Sequence, residues 1–219
     1  TIFVNSVEKS NLHALNLIEN GIETLYFIIP KELKSLESLL VNIDLSIITI
    51  YFETLFISDD FTMILQQYSH NKNSIFYILN DPIRQLSKSG NWFENIKSDF
   101  NNLNKSLISG NNLNGVVSVD LGLFQNSGSS IIQQLAYSLS HANEYLNLLN
   151  IKLIKSIVFK VSIGSNYFFE ISKLQALRIL WQSLTNEYGV SINCHIISKP
   201  TKRNKTIYDY NTNMMRTTT

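Results

Sequence analysis

Only one of the 219 residues is cysteine, Cys194. An internal disulfide is excluded, and a reducing compartment is the simplest setting. Glycine occurs eight times and never as Gly-x-Gly-x-x-Gly, so the usual phosphate-binding turn of a doubly wound sheet is absent. Charge is sparse as well: 16% of residues are charged and the net charge is +1. A nucleic-acid binder is expected to show a basic face or basic residues interleaved with aromatics. The single basic cluster here is the short stretch from Lys199 to Lys205. No apolar run approaches the roughly 18 residues of a membrane span, and no secretory leader is expected. The expectation is a cytoplasmic protein without a nucleic-acid or membrane partner.

Several kinds of chemistry are missing too. The Gly-x-Ser-x-Gly elbow that presents a nucleophilic serine is absent, and the serines at 127, 129 and 130 read as helix capping. Carboxylates are thinly spread, with no pair placed for glycoside hydrolysis. Cys194 and His195 are strand neighbours and face opposite ways, so they do not share a metal ion. A buried cysteine and a strand-end histidine are expected there. His13, His70 and His141 fall in helical segments and read as surface or partner-facing.

What is present is a hydrophobic content of 44%, ample for a core, arranged in alternating strand and helix patterns. Strands are expected at Ile2–Val4, Thr24–Ile29, Ile47–Phe52, Ser74–Leu79, Gly115–Phe124, Ile157–Ile163 and Val190–Ile197. Helices are expected at 12–18, 31–41, 61–68 and 93–107, with 80–93 as a long connection. The stretch from Gly115 to Gly189 organises the rest, as two complete strand–helix units. A polar turn at 125–130 leads into a helix from Ile131 to Leu149. There Ile132, Leu135, Ala136, Leu139, Leu146 and Leu149 fall at three-and-four spacing and share one face. Ser130 and Gln133 fit a capping box. A second helix, Tyr167 to Tyr188, carries Ile171, Leu174, Leu177, Trp181 and Leu184 as its stripe. Gly189 stands where a left-handed cap is expected.

Strands apolar on both faces and separated by helices mean an α/β protein with a parallel sheet covered by helices. An eightfold βα barrel and an open doubly wound sheet both fit. A full barrel needs about 250 residues, so this chain would hold a barrel lacking its last βα units. The chain opens at Thr1 and stops at Thr219 within an Arg-Thr-Thr run. A piece of a longer protein is expected, with residues 1–219 as a single domain, partial if it is a barrel.

Three stretches carry a family resemblance. They are Val119-Asp-Leu-Gly-Leu-Phe-Gln-Asn-Ser-Gly-Ser-Ser130, then Phe168-Phe-Glu-Ile-Ser-Lys-Leu-Gln-Ala-Leu-Arg-Ile-Leu-Trp181, then Lys202-Arg-Asn-Lys-Thr-Ile-Tyr-Asp209 with Asn213-Met-Met-Arg-Thr-Thr218. Together they resemble the methylmalonyl-CoA mutase family, and most of all the small subunit of its two-subunit bacterial enzymes. The resemblance implies the (β/α)8 TIM-type barrel over the open sheet. It also implies isomerisation of methylmalonyl-CoA and succinyl-CoA by a complex that uses adenosylcobalamin, the cofactor supplying the radical chemistry. A large catalytic subunit is the implied partner, in a heterodimer.

The family's catalytic subunit has a Tyr-His-x-Gln-Glu-Ala-Gly pattern whose histidine binds the substrate carbonyl. With Ser127-Gly128 set on the Ala-Gly, Gly122 falls at the tyrosine and Leu123 at the histidine. Gln125 keeps the glutamine and Asn126 replaces the glutamate. A leucine side chain neither donates nor accepts a hydrogen bond, so the resemblance implies a catalytically silent barrel. The remaining polar candidates for a barrel mouth or an interface are Gln125, Asn126, Lys202, Arg203, Lys205, Tyr208 and Arg216, with Asp209 placed to pair with Lys205. The family's cobalamin domain carries Asp-x-His-x-x-Gly, which none of the four histidines matches; no cobalamin is expected on this chain alone. Unpaired edges of an incomplete barrel would also favour self-association. The rival readings are a catalytic mutase chain and an unrelated βα-barrel enzyme acting on a phosphorylated metabolite.

Overall fold

The computed structural model describes residues 1–33, 36–72 and 74–218, with the side chains of all of these except 70–72 and 218. Seven strands alternate with helices: β1 (Ile2–Phe3), β2 (Thr24–Ile29), β3 (Thr49–Thr54), β4 (Ile75–Asn80), β5 (Gly115–Asp120), β6 (Ser156–Ile163) and β7 (Asn193–Pro200). Their order in the sheet is β1-β2-β3-β4-β5-β6-β7. The recorded registers from β1·β2 to β4·β5 are parallel. Among the described strands, consecutive ones are neighbours, as in a βα barrel, without the reversal of order that defines a doubly wound sheet. None of the described helices is long and apolar enough to cross a membrane.

The fold divides into two compact units, residues 1–118 with 148–156, and residues 119–147 with 157–219. In the first unit the helices are α1 (Val7–Glu19), α2 (Leu36–Leu40), α3 (Asp59–Lys72), α4 (Pro82–Ser89) and α5 (Ile96–Ser109). Strands β2 to β5 are buried on both faces over most of their length, which is why they read as nearly unbroken apolar runs. One set of alternate residues stacks Phe27 on Phe52, with Phe76 edge-on to Phe52 at 5.4 Å. The other set stacks Tyr51 on Tyr77 at 5.0 Å, with Tyr26 beside Tyr51. The Tyr26 hydroxyl donates to Glu53, which pairs with Arg84 at 3.0 Å. Burial and the neighbouring Tyr77 push the Tyr51 phenol up to about 12.

Several elements here differ from the sequence reading. α1 begins five residues earlier because Ser6 caps it, its side chain accepting from the Lys9 N–H. β3 lies two residues later, leaving Ile47 exposed. The helix expected over 31–41 falls partly on residues 34 and 35, outside the described residues. α4 replaces the expected connection: Asp81 caps it by accepting from the Arg84 N–H at 2.8 Å, Pro82 opens it and Gly90 closes it at φ 76°. Proline lacks the N–H that a first helical position leaves unbonded, and glycine adopts the left-handed closing conformation without strain.

The second unit contains the rest of β5, β6 after its first residue, and β7. Its helices are α6 (Leu121–Asn126), α7 (Ile131–Leu148), α8 (Tyr167–Glu187) and α9 (Tyr210–Thr218). The Ser130–Gln133 capping box is present in both directions, at 2.9 and 3.3 Å, and Gly189 closes α8 at φ 66°. Trp181 packs edge-on against Phe159 at 5.2 Å, and its indole N–H donates to the Ile192 carbonyl at 2.8 Å. Cys194 is buried, and burial raises its thiol to about 11.

Three expectations fail in this unit. The strand expected over 115–124 stops at Asp120, which caps α6 by accepting from the Leu123 N–H; residues 125 and 126 are helical and not a turn. The buried face of α7 is the expected apolar stripe only towards its end, where Leu146 and, just past the helix, Leu149 are buried. Gln134, Ser138, His141, Ala142, Tyr145 and Leu146 are buried, while Ile132 is 80% exposed. The side chains of that polar face bond among themselves and to backbone, so periodicity of apolar residues did not reveal it. His141 accordingly lies in the interior, 3.2 Å from the Tyr145 hydroxyl, and not on the surface. His70 lies outside the described side chains.

Candidate functional site

Strand ends and the loops after them form the working face of a βα fold. In the second unit these are the C-terminal ends of β5, β6 and β7. A cleft of about 1120 Å³ opens there, between the start of α8 on one side and the end of β7 with the loop and helix after it on the other. Its apolar wall includes Ile163, Tyr167, Ile171, Leu174 and Pro200. Its cations are Lys199, Arg203, Lys205 and Arg216.

One carboxylate, Glu170, lines the same cleft. It is buried and forms an ion pair with Lys173, one helical turn along α8. Lys173 is 1% exposed, and its ammonium also donates to the Ser162 carbonyl at 2.7 Å and to Gln134 Oε1 at 3.4 Å. A buried ion pair survives because such added hydrogen bonds offset the loss of hydration. Glu170 is thus neutralised from below, and the cleft's field is set by the four cations. Concave walls of low dielectric concentrate such a field.

Gly164 forms part of the cleft floor. A Cβ there would lie 3.0 Å from Glu170 Oε1 and 3.5 Å from Gln125 Nε2. The Gln125 amide is 5% exposed, and its Oε1 has no hydrogen-bond partner among the described residues. Gln125 thus lies directly behind the floor rather than in the lining.

Asn126 acts as a tie. Its Nδ2 donates to the Gly122 carbonyl at 2.7 Å, and its Oδ1 accepts from the Lys202 backbone N–H at 3.0 Å. The Lys202 side chain itself is exposed and outside the lining. The loop is ordered further along. Lys205 Nζ donates to Thr217 Oγ1 at 2.8 Å, and Arg216 Nη1 donates to the Asn204 carbonyl at 2.7 Å. Asp209 bonds the Thr212 hydroxyl and the Asn211 N–H at the start of α9. Those bonds hold its carboxyl below the ordinary range, with the Thr212 hydroxyl contributing most; Asp209 caps a helix where pairing with Lys205 was expected. Tyr208 is 91% exposed and lies outside the cleft lining.

Leu123 sits in the third position of α6, half-buried. Next to it, Gly122 is buried against β6. A Cβ on Gly122 would lie 2.6 Å from Ser162 Oγ and 3.0 Å from Asp120 Oδ1. A side chain at position 122 would therefore displace Ser162, and position 123 carries only hydrocarbon.

The structure thus brings Arg203, Lys205 and Arg216 into one cleft, places Gln125 beneath it and Asn126 at its brace, and leaves Tyr208 outside. Sequence reasoning missed the Glu170–Lys173 pair, whose only signal was an acid and a base three residues apart inside an amphipathic helix. It also missed the part Tyr167 plays in the wall. Cys194 and His195 stay apart from the cleft lining, and no cluster of three or more metal-ligating side chains occurs among the described residues.

Comparison with known proteins matches the methylmalonyl-CoA mutase family model over residues 37–219. A methylmalonyl-CoA mutase small subunit from Porphyromonas gingivalis is 32% identical over 115 residues, covering 48% of this chain and 19% of that protein. Methylmalonyl-CoA mutases from Cereibacter sphaeroides and Rhizobium meliloti are 33% and 31% identical over 71 and 70 residues. Those alignments cover 30% and 29% of this chain and 10% of each relative. The aligned stretches thus span a fifth or less of the length of these relatives. With five-sixths of its residues inside the family match, the chain belongs to the methylmalonyl-CoA mutase family.

Proposed function

We propose that this chain is the barrel portion of a small, non-catalytic mutase subunit, which packs against a large catalytic subunit and stabilises it. The observation that carries the reading is the pair Gly122–Leu123. Leucine has no group with which to polarise a thioester carbonyl, and Gly122 is hemmed in by Ser162 and Asp120. The similarity to a small subunit supports the same choice. In this reading residues 1–219 are one partial (β/α)8 barrel in a cytoplasmic complex. Isomerisation of methylmalonyl-CoA and succinyl-CoA belongs to the complex.

Adenosylcobalamin belongs to the complex as well. Its cobalt needs an accessible histidine, and the histidines described here do not fit. His141 is buried against Tyr145, while His13 and His195 lie outside the cleft lining. No step through the cofactor is therefore derived on this chain. Its own residues order the strand ends, shield the floor of the cleft and carry the surface for association. Exposed apolar residues such as Phe168, Phe169, Ile207 and Met215 support a partner-facing role; without the partner they favour self-association.

The test is an isomerase assay on the purified chain with methylmalonyl-CoA and adenosylcobalamin, repeated with Leu123→His. Neither protein turns substrate over in this account. Turnover by the unaltered chain would establish the catalytic reading instead.

A further inference from the structure

The geometry points to a ligand site in the cleft between α8 and the β7–α9 loop, for an organic phosphate carrying an apolar body. The inference goes beyond the subunit role and does not depend on it, since a chain without catalysis can still bind.

Charge placement carries the argument. The chain as a whole is nearly neutral at +1. Four of its cations nevertheless line one concavity, and the lone carboxylate among the lining residues is already neutralised by Lys173. Like charges gathered in a cleft repel one another, and an anion relieves the repulsion. Lys205 is held in place by donating to Thr217 Oγ1 and the Asn213 carbonyl, and Arg216 by donating to the Asn204 carbonyl. An ammonium has three donors and a guanidinium five, so both retain donors for a phosphate. No side-chain hydrogen bond or ion pair of Arg203 is recorded among the described residues, and its backbone alone is fixed, by Thr201 Oγ1 at 3.2 Å. Guanidinium groups match phosphate oxygens two at a time.

The second half of the ligand follows from the opposite wall. Tyr167 is 71% exposed at the start of α8, and Ile171 and Leu174 continue the apolar surface into the cleft. A cleft of about 1120 Å³ admits far more than an inorganic anion. Asn204 adds polar specificity: its Oδ1 is buried without a hydrogen-bond partner among the described residues, an acceptor that a ligand donor would satisfy.

The experiment is calorimetric titration of the 219-residue chain with inorganic phosphate and with octyl phosphate at two salt concentrations. Octyl phosphate is expected to bind one-to-one, at least tenfold tighter than inorganic phosphate, and more weakly at higher salt. Arg203→Glu, which removes no recorded structural bond, is expected to lower that affinity at least tenfold with an unchanged circular dichroism spectrum. Lys97→Glu, an exposed charge change in the first unit, is expected to leave it unchanged. Leu174→Asp is expected to abolish the advantage of octyl phosphate over inorganic phosphate. Equal loss in the Arg203 and Lys97 variants would overturn the site by reducing it to general electrostatics. Binding to vesicles of anionic phospholipid, with none to soluble octyl phosphate, would overturn it in favour of a lipid surface. No saturable binding of either probe would also overturn it.

Discussion

The Asn126 side chain accepts a hydrogen bond from the backbone N–H of Lys202, 76 residues further along the chain, at 3.0 Å. The same amide donates to the Gly122 carbonyl at 2.7 Å. One side chain therefore fixes the loop after β7 to the short helix after β5. Asn126→Ala is expected to cost about 1–3 kcal/mol, the sum of two such bonds. Chemical denaturation measures that loss. Hydrogen exchange should locate it, with faster exchange at Lys202 and unchanged exchange in β2 and β3.

Among the described cations, Lys173 is the most completely withdrawn from solvent. Lys173→Met leaves the Glu170 carboxylate buried without its partner, and a loss of about 3–5 kcal/mol is expected. The double variant Lys173→Met with Glu170→Gln should recover much of it, because no uncompensated charge remains. Urea midpoints of the two variants check this, and equal destabilisation in both would show that the pair does not act as a unit.

Gly122 meets Ser162 too closely to accept a side chain. Gly122→Ala is expected to cost about 1–3 kcal/mol through overpacking. Gly122→Ala combined with Ser162→Gly should recover stability, read from thermal melting.

Burial and the neighbouring Arg178 both lower the basicity of His195, burial more. The neutral ring is favoured in the folded state. Its contribution to stability is full above pH 6.5, the ordinary value, and declines as pH falls from there towards the lowered folded value. The stability–pH curve of His195→Gln should therefore lie flatter than that of the unaltered chain in that window. Parallel curves would contradict the assignment.

Much of the fold was legible because burial leaves a mark on sequence. β2 runs from Thr24 to Ile29 as expected, since a strand covered on both faces needs an unbroken apolar run. The Ser130–Gln133 box and Gly189 were legible because caps are local chemistry. α4 was legible and overlooked: Asp81-Pro82 and Gly90 are a start and a stop nine residues apart. α6 was hidden, because Leu121 and Leu123 to Phe124 continue the apolar run of β5 and only the Asp120 cap marks the change. On the buried side of α7 only Leu146 was read from the sequence, and the polar part was not. Ser138 and His141 are bonded within the helix, to the Gln134 carbonyl and the Tyr145 hydroxyl, and Gln134 to Lys173 of α8; polar residues at these positions carry no mark of burial in the sequence. The basic side of the cleft showed as a cluster near the C-terminus, whereas the neutralisation of Glu170 by Lys173 required coordinates.

The central claim, a barrel that supports a catalytic partner, is tested most directly by co-expression with a large catalytic mutase subunit and size-exclusion chromatography of the product. The account predicts co-elution of the two chains in equal amounts, with higher thermal stability of the large subunit than when it is purified alone. Separate elution, with the stability of the large subunit unchanged, would contradict it.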